Sequence, residues 1–356
     1  MAEDPFDPRD TGDEPDYPPA YPEAFSNAYR GMLLGLLLGD VRDPTQRVLQ
    51  SGPAVQQTCL TVDALIRYEA WLGNDSGARD PMPEVSSAVL RWAAMQGLVK
   101  RPDLLSGWVS RVTVLNAPRG QDRPSEQALP GLTVGRQWAA NEDTSSVPLL
   151  RCLPLAGTAI VAGPAEVSQW CALSAALTHG NADALISTSF LGVMVGAHLT
   201  SVFREGAQEL DPATATSWLM REHPGCELID RVISVLADSE PWSAQRLAEL
   251  SPDPSAGSVL IGALYLHRHF RGQSPSALRP RTRSAGDPYA VAALTGALLG
   301  LERGVDVLDV DELTRHELTW PMDTLARDYC SLMWVIPSEF GSPDSYEQIR
   351  ERYPTQ

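Results

Sequence analysis

Two apolar stretches, one near each end of the 356-residue chain, carry glycine at every fourth position: Gly31, Gly35 and Gly39 in the first, Gly296, Gly300 and Gly304 in the second. Residues four apart lie on one face of a helix, and a face without side chains lets another backbone approach closely. The spacing therefore predicts two central helices that pack tightly. No GxGxxG or P-loop spacing accompanies these glycines, so close packing accounts for them and a nucleotide loop does not.

The rest of the chain follows the same helical rhythm. Apolar residues recur at helical spacing, and further helices are expected at 183–203, 227–236, 255–270, 291–301 and 324–334, with Pro, Gly and Asp marking the breaks. Strand-like alternation is nearly absent, so the fold class is all-α. With 43% hydrophobic residues the chain has enough apolar side chains for a substantial core. Residues 1–23 hold eight acidic groups, one arginine and six prolines, a composition that cannot offset the entropy of ordering and reads as a disordered, solubilising tail. A single helical domain is expected over 24–340, followed by a C-terminal extension, 341–356. The longest irregular stretch, 116–147, is a place where binding residues often lie.

Charge and cysteine usage exclude several classes. A net charge of -17 repels nucleic-acid backbones and anionic membrane surfaces. The apolar segments 31–39 and 190–199 are shorter than the roughly 20 residues that span a bilayer, so no membrane association is expected. Cys59, Cys152, Cys171, Cys226 and Cys330 are scattered without a CxxC pair and read as free thiols. With an acidic, proline-rich N-terminus in place of a basic, apolar leader, they favour a cytoplasmic location. No Ser-His-Asp or Cys-His constellation follows from spacing.

Three segments carry a resemblance. The run from Tyr29 to Asp40 is a glycine-rich helix ending in Gly-Asp. Leu149-Leu150-Arg151-Cys152-Leu153-Pro154 precedes Thr178-His179. Gly286-Asp287-Pro288-Tyr289-Ala290 leads into a helix rich in alanine and glycine. In this order they resemble the ADP-ribosylglycohydrolase family, all-helical enzymes that use two magnesium ions to remove ADP-ribose from modified proteins or small molecules. The resemblance implies a compact orthogonal multi-helix bundle.

It also marks departures. The family's Thr-Asp-Asp-Thr run corresponds to Val55-Gln56-Gln57-Thr58, so both carboxylates are amides. In the family's Asp-x-Asp-Thr run Asp287 persists, while Tyr289 and Ala290 stand at the next aspartate and the threonine. Hard divalent cations need clustered anionic oxygens, and one carboxylate does not offset the repulsion between two dications. No metal or other cofactor is therefore expected. The family's glycine-asparagine-glycine loop falls on Ser145-Ser146-Val147.

The expected ligand-binding candidates are Gln56, Gln57, Thr58, Ser146, Arg151, His179, Arg283, Asp287 and Tyr289. Tyr289 is expected to fill the vacated metal cavity, with its hydroxyl near Gln56 or Asp287. Arg279, Arg281 and Arg283 stand as a metal-free phosphate clamp or as solvated surface charges, and His267 and His269 as structural residues. The leading expectation is a catalytically inactive member whose pocket takes an ADP-ribose-like or nucleotide-like ligand, or which serves a protein partner in regulation. The rivals are a metal-independent hydrolase of N-glycosidic bonds, with Asp287 or a loop acid (Glu142 or Asp143) activating water, and an acidic protein-interaction module.

Overall fold

The computed structural model describes residues 22–72, 80–132, 138–206, 208–333 and 343–355. The acidic tail expected over 1–23 lies outside them up to residue 21, and helix α1 opens at Pro22. Proline suits a first helical position, where its missing N–H has no partner to lose.

The chain is a succession of helices. The first half comprises α1 (Pro22–Gly39), α2 (Pro53–Trp71), α3 (Met82–Met95), the short α4 (Thr113–Asn116) and α5 (Arg123–Ala128), α6 (Val147–Cys152), α7 (Pro164–Ala176) and α8 (Ala182–Glu205). The second half continues with α9 (Ala213–Glu222), α10 (Glu227–Ala237), α11 (Ala244–Leu250), α12 (Ala256–His269), α13 (Pro275–Leu278), α14 (Pro288–Arg303), α15 (Val310–Arg315), α16 (Thr319–Met333) and α17 (Pro343–Arg352). Among the described residues β-structure is confined to two isolated bridges, Leu49 with His316 and Ser145 with Ser255. Polar side chains start many of the helices: Asn181, Ser243, Ser255, Asp287 and Asp309 each accept a first-turn N–H, as N-caps should.

Helices α1 and α14 form the axis, and the glycine spacing explains how. They run antiparallel, with Gly31 against Gly300 and Gly304, Gly35 against Gly296, and Gly39 against Ala292. A Cβ added at any of the first three would fall well inside 3 Å of the facing backbone. This register carries the C-terminal end of α1, with Asp40 just beyond it, to the start of α14, where Asp287 stands.

Helix α8 is long and apolar enough to cross a membrane by composition alone. It instead packs against α7, α9, α12 and α1, and 72% of its most apolar window is buried, which makes it a core helix. The C-terminal segment is tied to the same body. Tyr353 is fully buried, its carbonyl accepts from Trp71 Nε1 at 2.9 Å, and its hydroxyl donates to Asp328. Arg67, which with Arg91 pairs with the buried Asp63, donates to the Pro354 carbonyl.

Candidate functional site

The meeting point of α1, α2 and α14 is organised by Asp40. Its side chain is wholly buried; one oxygen accepts the Gly52 N–H at 2.6 Å, at the start of α2, and the other pairs with Arg42 Nη2 at 2.8 Å. Burial pushes its carboxyl up to about 6; Arg42 and the Gly52 hydrogen bond oppose this, and Asp287 adds to it. The Arg42 guanidinium lies against Gly52 and 4.5 Å above the centre of the Tyr289 ring, whose hydroxyl donates to the Arg42 carbonyl at 3.4 Å. A fixed cation thus bridges the N-terminal ends of α2 and α14. Asp287 itself is spent as the cap of α14, accepting the Ala290 N–H at 3.0 Å.

Gln56, Gln57 and Thr58 are buried on α2, and all three are committed to internal bonds. Gln56 Nε2 donates to the carbonyls of Val114 at 3.1 Å and Ala117 at 2.9 Å. Thr58 Oγ1 donates to Ala54 and Leu150 carbonyls, each at 3.0 Å. Gln57 joins two charges: its Nε2 donates to Asp122 at 2.6 Å and its Oε1 accepts from Arg151 Nη1 at 3.0 Å.

Arg151 is the hub of a buried polar chain. Its other terminal nitrogen donates to the Ser174 carbonyl and to Thr178 Oγ1 at 2.9 Å. Thr178 Oγ1 lies 2.8 Å from His179 Nδ1, and His179 Nε2 lies 2.9 Å from Ser145 Oγ and 3.5 Å from Asp143. Because Thr178 accepts from Arg151, its own proton is available to His179 Nδ1, which leaves the Nε2 proton directed at Ser145 and Asp143. Burial lowers Arg151 to about 10. Burial and then the Arg151 charge lower His179 to about 3, against the pull of Asp143, so the imidazole is neutral.

Several expectations are corrected by this geometry. Tyr289 does not fill a cavity beside Gln56: it is 41% exposed and stacks on Arg42. The three arginines before Asp287 do not form a clamp. Arg279 is bound to Glu312 and to the Leu38 carbonyl, Arg281 lies over the rings of Phe270 and Trp242, and Arg283 alone of the three is exposed. Ser146 is buried at the start of α6, but the hydroxyl that reaches His179 belongs to Ser145. Gln57, Arg151 and His179 are brought together as one chain, whereas Gln56 and Tyr289 stand apart from it.

Asp40, Arg42, Asp122 and Thr178 were not among the expected residues. The sequence does signal Asp122, as the cap in Asp-Arg-Pro-Ser. Asp40 follows the last glycine of the α1 stripe, which places it beside α14 once the two stripes are paired.

The family's metal pair does not fit this donor set. Both amides of Gln56 and Gln57 and the Thr58 hydroxyl are turned to protein partners, and Asp287 caps its own helix. Magnesium takes oxygen ligands in a near-ideal octahedron and is held through carboxylates, and a guanidinium already neutralises Asp40.

Three buried histidines set the expected acid response. Burial lowers His179 to about 3, His198 to about 4 and His316 to about 4. Unfolding raises each toward 6.5, so the unfolded chain binds more protons between these values and stability is lost as pH falls from about 6.5 to about 4, by roughly 1–3 kcal/mol per histidine. Asp40 and Glu84 have the opposite sign, since carboxyls raised by burial favour the folded state as pH falls, Asp40 through about 6, but they are two groups against three. Urea midpoints at pH 7, 5.5 and 4.5 check this, and His316→Gln flattens the slope.

The fold and site together define an all-helical protein built on a glycine-paired axis, with Asp40, Arg42 and Tyr289 gathered where α1, α2 and α14 meet. The family model for ADP-ribosylglycohydrolase matches residues 22–333, and the chain belongs to that family. A solved structure titled "ADP-ribosylglycohydrolase-related protein complex" is similar in fold, with a TM-score of 0.55 at 18% identity, covering 87% of this chain and 98% of that one. No curated protein sequence matches.

Proposed function

We propose that this chain is a non-hydrolytic member of its family, whose metal-free site takes an ADP-ribose-like or nucleotide-like ligand in a regulatory role. The observation that carries this reading is Gln57. It stands where the family has a carboxylate, and it is locked between Asp122 and Arg151, so the position has been turned inward from ligating a cation to holding the core. The ligand side of the reading rests on the exposed cation and ring where α2 and α14 begin. Arg42, 41% exposed over the Tyr289 ring, with Arg283 nearby in sequence, offers positive charge and a π face to a phosphate and a base.

A second reading has one observation in its favour. Asp40, raised to about 6, lies in the field of a second carboxylate, Asp287, and a carboxyl poised near neutrality suits general acid–base work. Its complete burial and its bonds to Gly52 and Arg42 count against contact with any substrate.

Thermal denaturation with ADP-ribose separates these readings from a pure interaction module. The expected result is a rise in melting temperature that a chelator leaves unchanged and that Arg42→Ala reduces. No shift with ADP-ribose, nicotinamide nucleotides or cyclic nucleotides would contradict the ligand part of the proposal.

A further inference from the structure

The segment from Arg350 to Pro354 is held much as a bound peptide is held, in a cleft walled by the end of α2, the loop at 104–108 and α16. The Tyr353 ring is fully buried, edge-on to Trp108 with 6.3 Å between ring centres, and its hydroxyl donates to Asp328 at 2.5 Å. Arg352 pairs with the same carboxylate at 3.3 Å and lies 5.1 Å above the Trp108 ring. Arg350 lies 5.1 Å above the Trp71 ring and donates to the Ala70 carbonyl at 2.9 Å. Two carbonyls of the segment are bound as well, that of Tyr353 by Trp71 Nε1 and that of Pro354 by Arg67. A buried aromatic anchor, cations over aromatic faces and a shared carboxylate are the parts from which recognition of a short linear segment is built.

Glu347, Gln348 and Glu351 are exposed, so the pattern Arg-x-Arg-Tyr-Pro carries the contact. Nine residues, 334–342, separate the end of α16 from the start of α17, and a chain of that length spans up to roughly 30 Å. The same bonds therefore form whether the segment comes from this chain or from another copy beside it. The cleft also has an apolar rim that the docked segment leaves open. Trp320 is 63% exposed with its ring against Trp108, and Trp71 and Leu105 are each 42% exposed. Apolar exposure gathered in one place marks a contact surface for protein.

We propose that this cleft is a docking site for the Arg350–Pro354 segment of a second copy of the chain, and that two copies pair by exchanging these segments. The chain's own segment, tethered beside the cleft, competes for it and holds it at low concentration, and exchange gains as the concentration of the chain rises.

Two full-length variants test this by complementation. Tyr353→Ala keeps the cleft and loses the anchor, whereas Trp71→Ala with Asp328→Ala keeps the segment and loses the cleft. Each alone is expected to run as a monomer in size-exclusion chromatography with light scattering. Their equimolar mixture is expected to run at twice the mass, and to return to monomers with an excess of a synthetic peptide of residues 343–356. If Tyr353→Ala fails to fold, Arg350→Ala with Arg352→Ala vacates the cleft in its place. Variants that are folded by circular dichroism and stay monomeric when mixed overturn the proposal, as does a dimer that one variant forms alone or that the peptide leaves intact.

Discussion

Gly300→Ala is expected to cost about 3 kcal/mol or more, over half of the total stability if that lies near the low end of the usual roughly 5–15 kcal/mol. The added methyl would press into the Gly31 carbonyl, and that obstacle is backbone on a helix, which cannot rotate aside as a side chain can. The helices would have to separate along their whole glycine seam, opening contacts at Gly35, Gly296 and Gly39 as well. Gly163→Ala is the matched control, because its added methyl meets only the flexible end of Glu166, and it is expected to cost under about 1 kcal/mol. Chemical-denaturation midpoints of the two variants compare them directly. Similar costs would show that the seam does not set the fold.

Arg151→Met is expected to cost roughly 3–5 kcal/mol, as removal of one member of a buried charged network does. Methionine fills much of the volume but donates nothing. Gln57 Oε1, Thr178 Oγ1 and the Ser174 carbonyl each lose a donor, and Asp122 keeps its Gln57 partner without the charge beyond it. A second readout isolates the electrostatics. The Arg151 charge is one of the causes holding His179 near 3, so in any folded fraction of the variant His179 should titrate at higher pH. Imidazole resonances followed by NMR report this directly, and an unmoved His179 would break the proposed chain between Arg151 and Thr178.

The helical framework was legible because it depends on local periodicity. The stretches expected at 183–203, 227–236, 255–270 and 324–334 correspond to Ala182–Glu205, Glu227–Ala237, Ala256–His269 and Thr319–Met333. The glycine stripes even declared which helices would touch, since only another backbone can occupy the space they leave. Partners of buried polar side chains were not legible in the same way. Periodicity placed Gln56 and Gln57 on α2, but successive residues on a helix point in different directions, and the amide nitrogens of these two reach acceptors 58 to 65 positions away. These acceptors lie between Val114 and Asp122, around the start of the irregular stretch, where no periodic pattern announces a contact. Tyr289 went astray for a related reason: its position followed from the family's pattern, while its direction is set by Arg42, a residue of the α1–α2 loop with no motif to mark it.

In the proposed non-hydrolytic reading, the two acidic runs of the family are replaced in different ways. On α2 the change is inward, with Gln57 joining Asp122 to Arg151 in the core. At α14 it is outward, with Tyr289 exposed beneath a guanidinium that also neutralises Asp40. Neither end retains the clustered anionic oxygens that a pair of magnesium ions requires, and Asp287 serves its own helix.

Release of ADP-ribose from an ADP-ribosylated protein, followed over time with and without magnesium, tests this most directly. The expected result is no release above the uncatalysed rate in either condition. Magnesium-dependent release that disappears in Asp287→Ala would contradict it, and would mean that the amides of α2 turn outward to hold the metal after all.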